Sequence, residues 1–484
     1  MLFNSYEFIF VFMPITFFVY YFLLSKRLVV GAKGFLVFAS LFFYSWWNPI
    51  YLPLILSSML FNYVIGNSLN ENFKKIKITK KTLLTIGVIA NLALLGYFKY
   101  ADFFINNINM VTNGSVELLH LALPLAISFF TFQQIAYLVD SYRGETSEYD
   151  FLNYALFVTF FPQLIAGPIV HHKEMMPQFA SRWNLVKNYK HIAMGLFIFS
   201  IGLFKKVIIA DQFAIWATAG FDNAVTLELF EAWATSLSYT FQLYFDFSGY
   251  CDMAVGAALL FNIKLPINFN SPYKSLDIQD FWRRWHVTLG RFMRDYIYIP
   301  LGGNRKGNIR GYTNLFTVAV VSGFWHGAGW TFIAWGALHG IALVTHRIWK
   351  DFGFNMNKYL AWFITFNFIN ITWVFFRALS WEDAVKVLKG MVGLNGIVMS
   401  DKYAQKLEFL KEHGVEFGQW LIHIDGNKSF TWIAVALFIV LYFQNSNFLY
   451  KKSPKLLYLS VVLFLTSIYF GIVNQSSEFI YFNF

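Results

Sequence analysis

The sequence predicts an all-α polytopic membrane protein, on three observations. Its 484 residues are 57% hydrophobic and only 13% charged, with 58 Phe and 16 Trp, too apolar for a string of soluble domains. Apolar runs long enough to cross ~30 Å of hydrocarbon recur from one end of the chain to the other. The formal charge of +11 gathers in short links between those runs. Lys26, Arg27 and Lys33 follow the first run. Lys74, Lys75, Lys77, Lys80 and Lys81 follow the next hairpin, and Lys451, Lys452 and Lys455 come late. By the positive-inside rule these links face the cytoplasm, which puts both termini outside. No soluble basic domain exists to carry the charge to a nucleic acid, so membrane lipid is the expected surroundings and nucleic acid is not an expected partner.

The first run, Phe8 to Leu24, lacks a basic start and a small-residue cleavage site, and reads as a retained helix rather than a signal peptide. The lone cysteine, Cys251, excludes an intrachain disulfide and a cysteine-based zinc site, and reads as a small buried side chain. The whole chain, 1–484, is expected to form one integral membrane domain. Residues 1–120 hold the N-terminal spans: about 7–25, a hairpin about 35–66 turning at Trp46-Trp47-Asn48-Pro49, and about 82–98. Residues 121–350 form the core. Pro124 interrupts the run from Leu121 to Leu138, and Gln133-Gln134 are polar groups that need partners there. Pro162, Gly167 and Pro168 predict a kinked or re-entrant segment over Phe151–Val170. Spans follow at about 191–209 and 231–262. The second carries Tyr244, Asp246, Ser248, Tyr250 and Asp252, which must face protein or water. Leu265–Tyr273 reads as a loop at a membrane face, and about 313–349 gives two more spans. Residues 351–484 add a span near 358–378, an amphipathic excursion near 379–429, and spans at about 430–447 and 456–474. No internal repeat is visible, so the inverted-repeat signature of secondary transporters is unsupported.

The chemistry concentrates between Phe281 and Trp330. Trp282, Trp285, Leu289, Phe292 and Tyr296 step by three and four, which predicts one helical apolar stripe. Arg284, Thr288, Arg291 and Asp295 fall on another face, a pattern that suits a helix lying at the interface, with His286 beside the stripe. His326 lies inside an apolar segment bracketed by Gly323 and Gly327, and an ionisable group at that depth is a functional candidate. Trp325 and Trp330 would wall a dry pocket in which a neutral imidazole accepts a proton from a hydroxyl. His326 also suits a core histidine between packed helices, and His286 amphipathic filler. Gly302-Gly303-Asn304-Arg305-Lys306-Gly307 lacks the Walker spacing. It reads as a basic loop at lipid headgroups, with contact to an anionic acyl donor as the functional alternative. His339, His346, His171 and His172 match no metal motif, so no metal is expected. No GxSxG elbow suggests a serine acyl-enzyme. Asp246 and Asp252 suit either a paired-carboxylate site or structural polar groups, the second being the simpler reading.

Several phrases, WRRWH (282–286), RDYIYIPLGGNRKG (294–307) and FWHG (324–327), together resemble the membrane-bound O-acyltransferase family, in its polysaccharide-acetylating branch. The resemblance extends in order through Pro124–Gly144, Phe160–Ile169, Gln242–Tyr273 and the terminal FIYFNF. It implies about 11–13 transmembrane or re-entrant helices around a central channel. It also implies catalysis by His326, with His286 as the second histidine. Donor and substrate contacts are assigned to Trp325, to the basic Arg283, Arg284, Arg305 and Lys306, and to the buried polar Gln133, Asp246 and Ser248. The implied donor is cytoplasmic acetyl-CoA, with no permanently bound cofactor. The implied acceptor is an exported polysaccharide of a bacterial cell, reached through a hydrolase-like extracytoplasmic partner. D-alanyl transfer to teichoic acid is the alternative within the family, and a polytopic transporter the alternative outside it.

Overall fold

Helices dominate the computed structural model, which describes residues 1–70, 78–146, 150–452, 456–473 and 479–480. Lys74, Lys75, Lys77, Lys455 and most of the terminal FIYFNF lie outside the described residues, as do the side chains of Lys451 and Lys452.

The N-terminal helices are α1 (Met13–Ser25), α2 (Val29–Ser45), α3 (Leu52–Leu69) and α4 (Lys80–Leu95). Between α2 and α3 the aromatic corner turns where Asn48 accepts the Ile50 N–H, at 3.0 Å. The Thr79 hydroxyl starts α4 by accepting the Thr82 N–H, at 3.1 Å. The expected end of this span near residue 98 is corrected. The chain passes through a wide π-type turn, Gly96–Tyr100, and continues as α5 (Ala101–Thr112). Charge is costly in lipid, and Lys99 in this turn points into protein, its Nζ 2.7 Å from the Trp325 carbonyl.

Broken helices follow, as Pro124 and Pro162 require. Helix α6 (Ile127–Tyr142) starts only after Ala126, in the left-handed region with φ +62°. Helix α7 (Phe151–Thr159) breaks at Phe160 into the single turn α8 (Phe161–Leu164). The amphipathic α9 (His172–Ala180) then leads to α10 (Tyr189–Phe204), α11 (Asp211–Thr218) and the 32-residue α12 (Leu229–Leu260). From Tyr239 to Leu260 every α12 residue is buried, so the molecule is built around this helix. Glycine lets α10 touch it backbone to backbone: a Cβ on Gly202 would stand 2.5 Å from the Gly249 carbonyl.

The polar groups of α12 resolve as ion pairs. Lys206 lies 2.9 Å from both Asp211 and Asp246, and Lys205 lies 2.7 Å from Asp252. Asp246 and Asp252 therefore have separate lysine partners and do not form a paired carboxylate.

After α12, the asparagine-rich segment 262–271 packs inward, with Asn268 2% exposed, and is not a surface loop throughout. Two short helices follow, α13 (Ile278–Arg284) and α14 (Val287–Met293). The long hairpin of α15 (Asn308–His326) and α16 (Trp330–Asp351) comes next, then α17 (Lys358–Arg377). The excursion opens with α18 (Trp381–Met391), capped where the Ser380 hydroxyl accepts the Asp383 N–H at 3.1 Å. It departs from all-α with a parallel pair, β1 (Ile397–Ser400) and β2 (Val415–Gly418), in register Ile397 to Val415. The chain closes with α19 (Ser429–Tyr442), α20 (Ser446–Lys452) and α21 (Leu456–Val473).

Among the described residues five helical runs are long and apolar enough to cross a membrane: Glu7–Ser25, Pro49–Leu69, Lys80–Thr112, Tyr189–Asn223 and Lys358–Arg377. Helices such as α6 and α12 fall short of lipid-grade apolarity because protein, not lipid, surrounds them.

Candidate active site

The C-terminal end of α15 carries His326. The helix stops there because the next residue, Gly327, is extended with φ −159°. The α15–α16 hairpin is tight enough that a Cβ on Gly336 would meet the Ala319 carbonyl at 2.6 Å. That contact sets His326 against the start of α16. The imidazole is 3% exposed and ringed by aromatics: centroid distances are 4.9 Å to Trp325, 5.1 Å to Phe376 and 5.3 Å to Trp335.

His286 also lies near Trp325. The expected single helix over 282–296 is corrected here. It breaks at Trp285-His286, where His286 takes φ +43°, and the short helices α13 and α14 diverge. Nor does this segment lie open at an interface, for Trp285, Leu289 and Phe292 are buried and His286 is 1% exposed. The cause of the break lies on the 262–271 segment. Asn268 Oδ1 accepts the Thr288 N–H at 3.2 Å and the Thr288 hydroxyl at 2.9 Å, and faces His286 Nδ1 at 3.1 Å. A backbone N–H needs an acceptor, so the amide oxygen, not its nitrogen, points at this corner. Neutral His286 then carries its proton on Nδ1, leaving Nε2 as the basic nitrogen. Its ring lies 6.5 Å from that of Trp325, so one indole neighbours both imidazoles.

Two separate cavities adjoin this aromatic wall. One, about 690 Å³, is lined by Lys99, Gly327, Gln242, Phe376 and Arg377 among others. Its charges balance: Lys99 and Arg377 against Asp102 and Asp222. The other, about 750 Å³, is lined by Trp335, Ser322 and His339, and by Arg283, Arg291, Arg294, Arg347 and Lys350 against Asp351 alone. His326 lines neither; Phe376 separates it from the neutral cavity and Trp335 from the basic one. Each cavity thus reaches one of the aromatic rings packed on His326, Phe376 for the neutral one and Trp335 for the basic one.

Of the anticipated contact residues, Trp325 is in the wall and Arg283 lines the basic cavity. Arg284 instead turns its Nε to both oxygens of Asp280, at 2.9 Å. Arg305 and Lys306 are exposed on a loop whose neighbour Asn304 reaches the basic cavity. Gln133 is buried on α6 beside Phe132, whose ring stacks on Trp325 at 5.0 Å. Asp246 is held by Lys206, and Ser248 lines a small recess with Tyr244 and Asp252, away from His326. His339, read as filler, is buried between the Trp282 indole N–H and the Thr372 hydroxyl, at 3.2 and 3.1 Å. Among the described residues no group of His, Cys, Asp and Glu is arranged to hold a metal ion.

The family model of the membrane-bound O-acyltransferases matches residues 75–380, well over half of the chain. The chain belongs to the membrane-bound O-acyltransferase family. It is an O-acyltransferase, which sets the transporter alternative aside. A peptidoglycan O-acetyltransferase of Helicobacter pylori is 51% identical over 100% of this chain and 98% of its own length. A probable alginate O-acetylase AlgI of Pseudomonas aeruginosa is 40% identical over 81% of this chain and 75% of its own. A teichoic acid D-alanyltransferase of Streptococcus thermophilus is 28% identical over 54% and 70%.

Two residues of this acyltransferase that sequence reasoning missed are Asn268 and Lys99. Asn268 had one signal, an amide in a segment with three asparagines, but its partner is 18 residues away. Lys99 had another, a cation inside an apolar run, which marks a functional candidate in a membrane helix.

Proposed function

We propose that this acyltransferase moves acetyl from acetyl-CoA, bound in the basic cavity, to a hydroxyl presented from the neutral cavity. His326 acts as the general base. The supporting observation is the placement of one imidazole in the wall between an arginine-rich cavity and a charge-balanced one. By the positive-inside rule, Lys80 at the start of α4 and Lys350 at the end of α16 favour a cytoplasmic side for the basic cavity, which leaves the outer side for the neutral one. Guanidinium groups suit the phosphates of coenzyme A.

In the proposed step the imidazole takes the acceptor's hydroxyl proton, and the oxygen attacks the thioester carbonyl carbon. A C–O bond forms, the oxyanion collapses, the C–S bond breaks, and the thiolate takes the proton back from the imidazolium. Movement of the Trp335 and Phe376 rings gives the two substrates access to the imidazole. His286, its tautomer set by Asn268, presents a basic Nε2 toward the same wall. The acceptor is a glycan of the cell envelope, served by an extracytoplasmic transferase partner. The identity and full-length match to a peptidoglycan O-acetyltransferase favour peptidoglycan over alginate, and acetyl over D-alanyl transfer.

The test is acetyl transfer from labelled acetyl-CoA in membranes carrying His326→Ala. The variant should insert and fold yet leave the envelope glycan unacetylated. Acetylation that survives the substitution refutes the assignment of the base.

A further inference from the structure

We propose that Lys99 is a positioning residue for His326: from a different helix, its ammonium fixes the terminal carbonyls of α15 and so sets where the imidazole stands. The inference rests on His326 being the base.

A helix end leaves its last carbonyls without intrahelical donors. At α15 the chain beyond His326 turns away in an extended conformation and the cap residue Gly327 donates no backbone N–H to the last turn. The donors come instead from the π-type turn Gly96–Tyr100, more than two hundred residues earlier. Lys99 Nζ donates to the Trp325 carbonyl at 2.7 Å and to the His326 carbonyl at 3.0 Å, with Ser128 Oγ at 3.4 Å. The neighbouring Tyr100 hydroxyl donates to the Phe324 carbonyl at 2.9 Å, and its ring stacks on Phe324 at 4.3 Å. Three consecutive carbonyls thus end on two consecutive side chains. A cation here also meets the negative end of the helix dipole.

A helix cap alone does not account for a lysine. A neutral amide could cap the same carbonyls, whereas an ammonium at this depth in an apolar segment is costlier to bury. What the lysine adds is reach and location. It lines the neutral cavity alongside Gly327 and clamps the carbonyl of the residue whose ring packs on Phe376 and Trp335. Loss of the clamp frays the last turn of α15, and with it the ring's alignment to the attacking hydroxyl.

The experiment compares kcat per folded molecule and KM for acetyl-CoA in Lys99→Met, Lys99→Gln, His326→Ala and Asn91→Ala. Asn91 belongs to a buried amide cluster with Asn62, apart from the wall, and serves as a purely structural comparison. Lys99→Met should lose at least about tenfold in kcat with donor KM within about twofold, because geometry rather than binding is lost. Lys99→Gln, which keeps N–H donors but is one bond shorter, should retain more kcat than Lys99→Met while staying below the parent. Asn91→Ala should lower the melting midpoint yet keep kcat per folded molecule within about twofold. A Met variant with parental kcat, beside an inactive His326→Ala, overturns the role of Lys99 alone. An active His326→Ala overturns the base assignment and this inference together. Should the Met variant fail to accumulate, Lys99→Ser, too short to reach either carbonyl, gives the same readout. Failure of both to accumulate makes the contact a folding requirement and overturns the inference.

Discussion

The cavities on the two sides of His326 are nearly equal in size, about 750 and 690 Å³, and opposite in electrostatics. One presents five cations against a single carboxylate, the other two cations against two carboxylates. Arg291, Arg294 and Lys350 have carboxylate partners beyond the lining, in Glu174, Asp295 and Asp277, so the excess positive charge facing this cavity rests on Arg283 and Arg347. What the difference teaches is that, on the proposed mechanism, donor and acceptor are told apart in separate chambers: the side with excess positive charge suits the anionic donor and the balanced side an uncharged hydroxyl.

Removing the base should erase the distinction altogether. His326→Ala is expected to lower acetyl transfer by about 10²–10⁴-fold, the usual span for a general base, measured as product per folded protein. Substitution of Asn268 by Ala tests the wall from the other histidine. It leaves His286 Nδ1 and the Thr288 N–H without their shared acceptor, and should cut kcat about tenfold at unchanged KM for acetyl-CoA. A parental kcat would remove His286 from the reaction. The chambers are then separated by Arg283→Gln, which should raise donor KM about fivefold and spare kcat. Gln242→Ala should instead alter acceptor KM alone, and crossed effects would break the comparison. The smallest effect concerns Glu174, which lies outside the membrane spans. Burial pushes its carboxyl up, but hydrogen bonds and charge from Arg291 outweigh that and hold it below the ordinary glutamate range. A depressed carboxyl stabilises the fold above its unfolded pKa and loses that contribution as pH falls through the folded value. Glu174→Gln should therefore lower the melting midpoint by on the order of 1 °C at pH 7, with the gap closing below about pH 4. A gap unchanged by acid would show that the pair is not responsible.

Much of the architecture was legible because hydrocarbon thickness imposes a run length that composition cannot hide. The prolines at 124 and 162 marked the broken helices for the same steric reason that breaks them. The burial of His326 was legible from the apolar run around it, though that run suits a packed core histidine as well as a base. The kink at His286 was not. Trp282, Leu289 and Phe292 keep a helical rhythm across it, because both short helices bury the same side, and the breaker is an amide on another segment. Lys99 was hidden differently: read locally it ends a span, and only the carbonyls of residues 325 and 326 explain it. Arg284, Arg305 and Lys306 show the converse, since positive charge marked them while tertiary contacts decide which arginines face a cavity. The excursion's amphipathic start was readable, but the pairing of Ile397 with Val415 was not, since four-residue strands carry too little pattern.

A cell that opens a reaction centre to both of its aqueous compartments risks short-circuiting the ion gradient it lives on. Here the rings of Trp325, Trp335 and Phe376 pack around the His326 imidazole, which lines neither of the two cavities. If transfer runs as proposed, a small acyl fragment is handed past a partition one ring thick, while the bulky nucleotide and the polymer each remain on their own side.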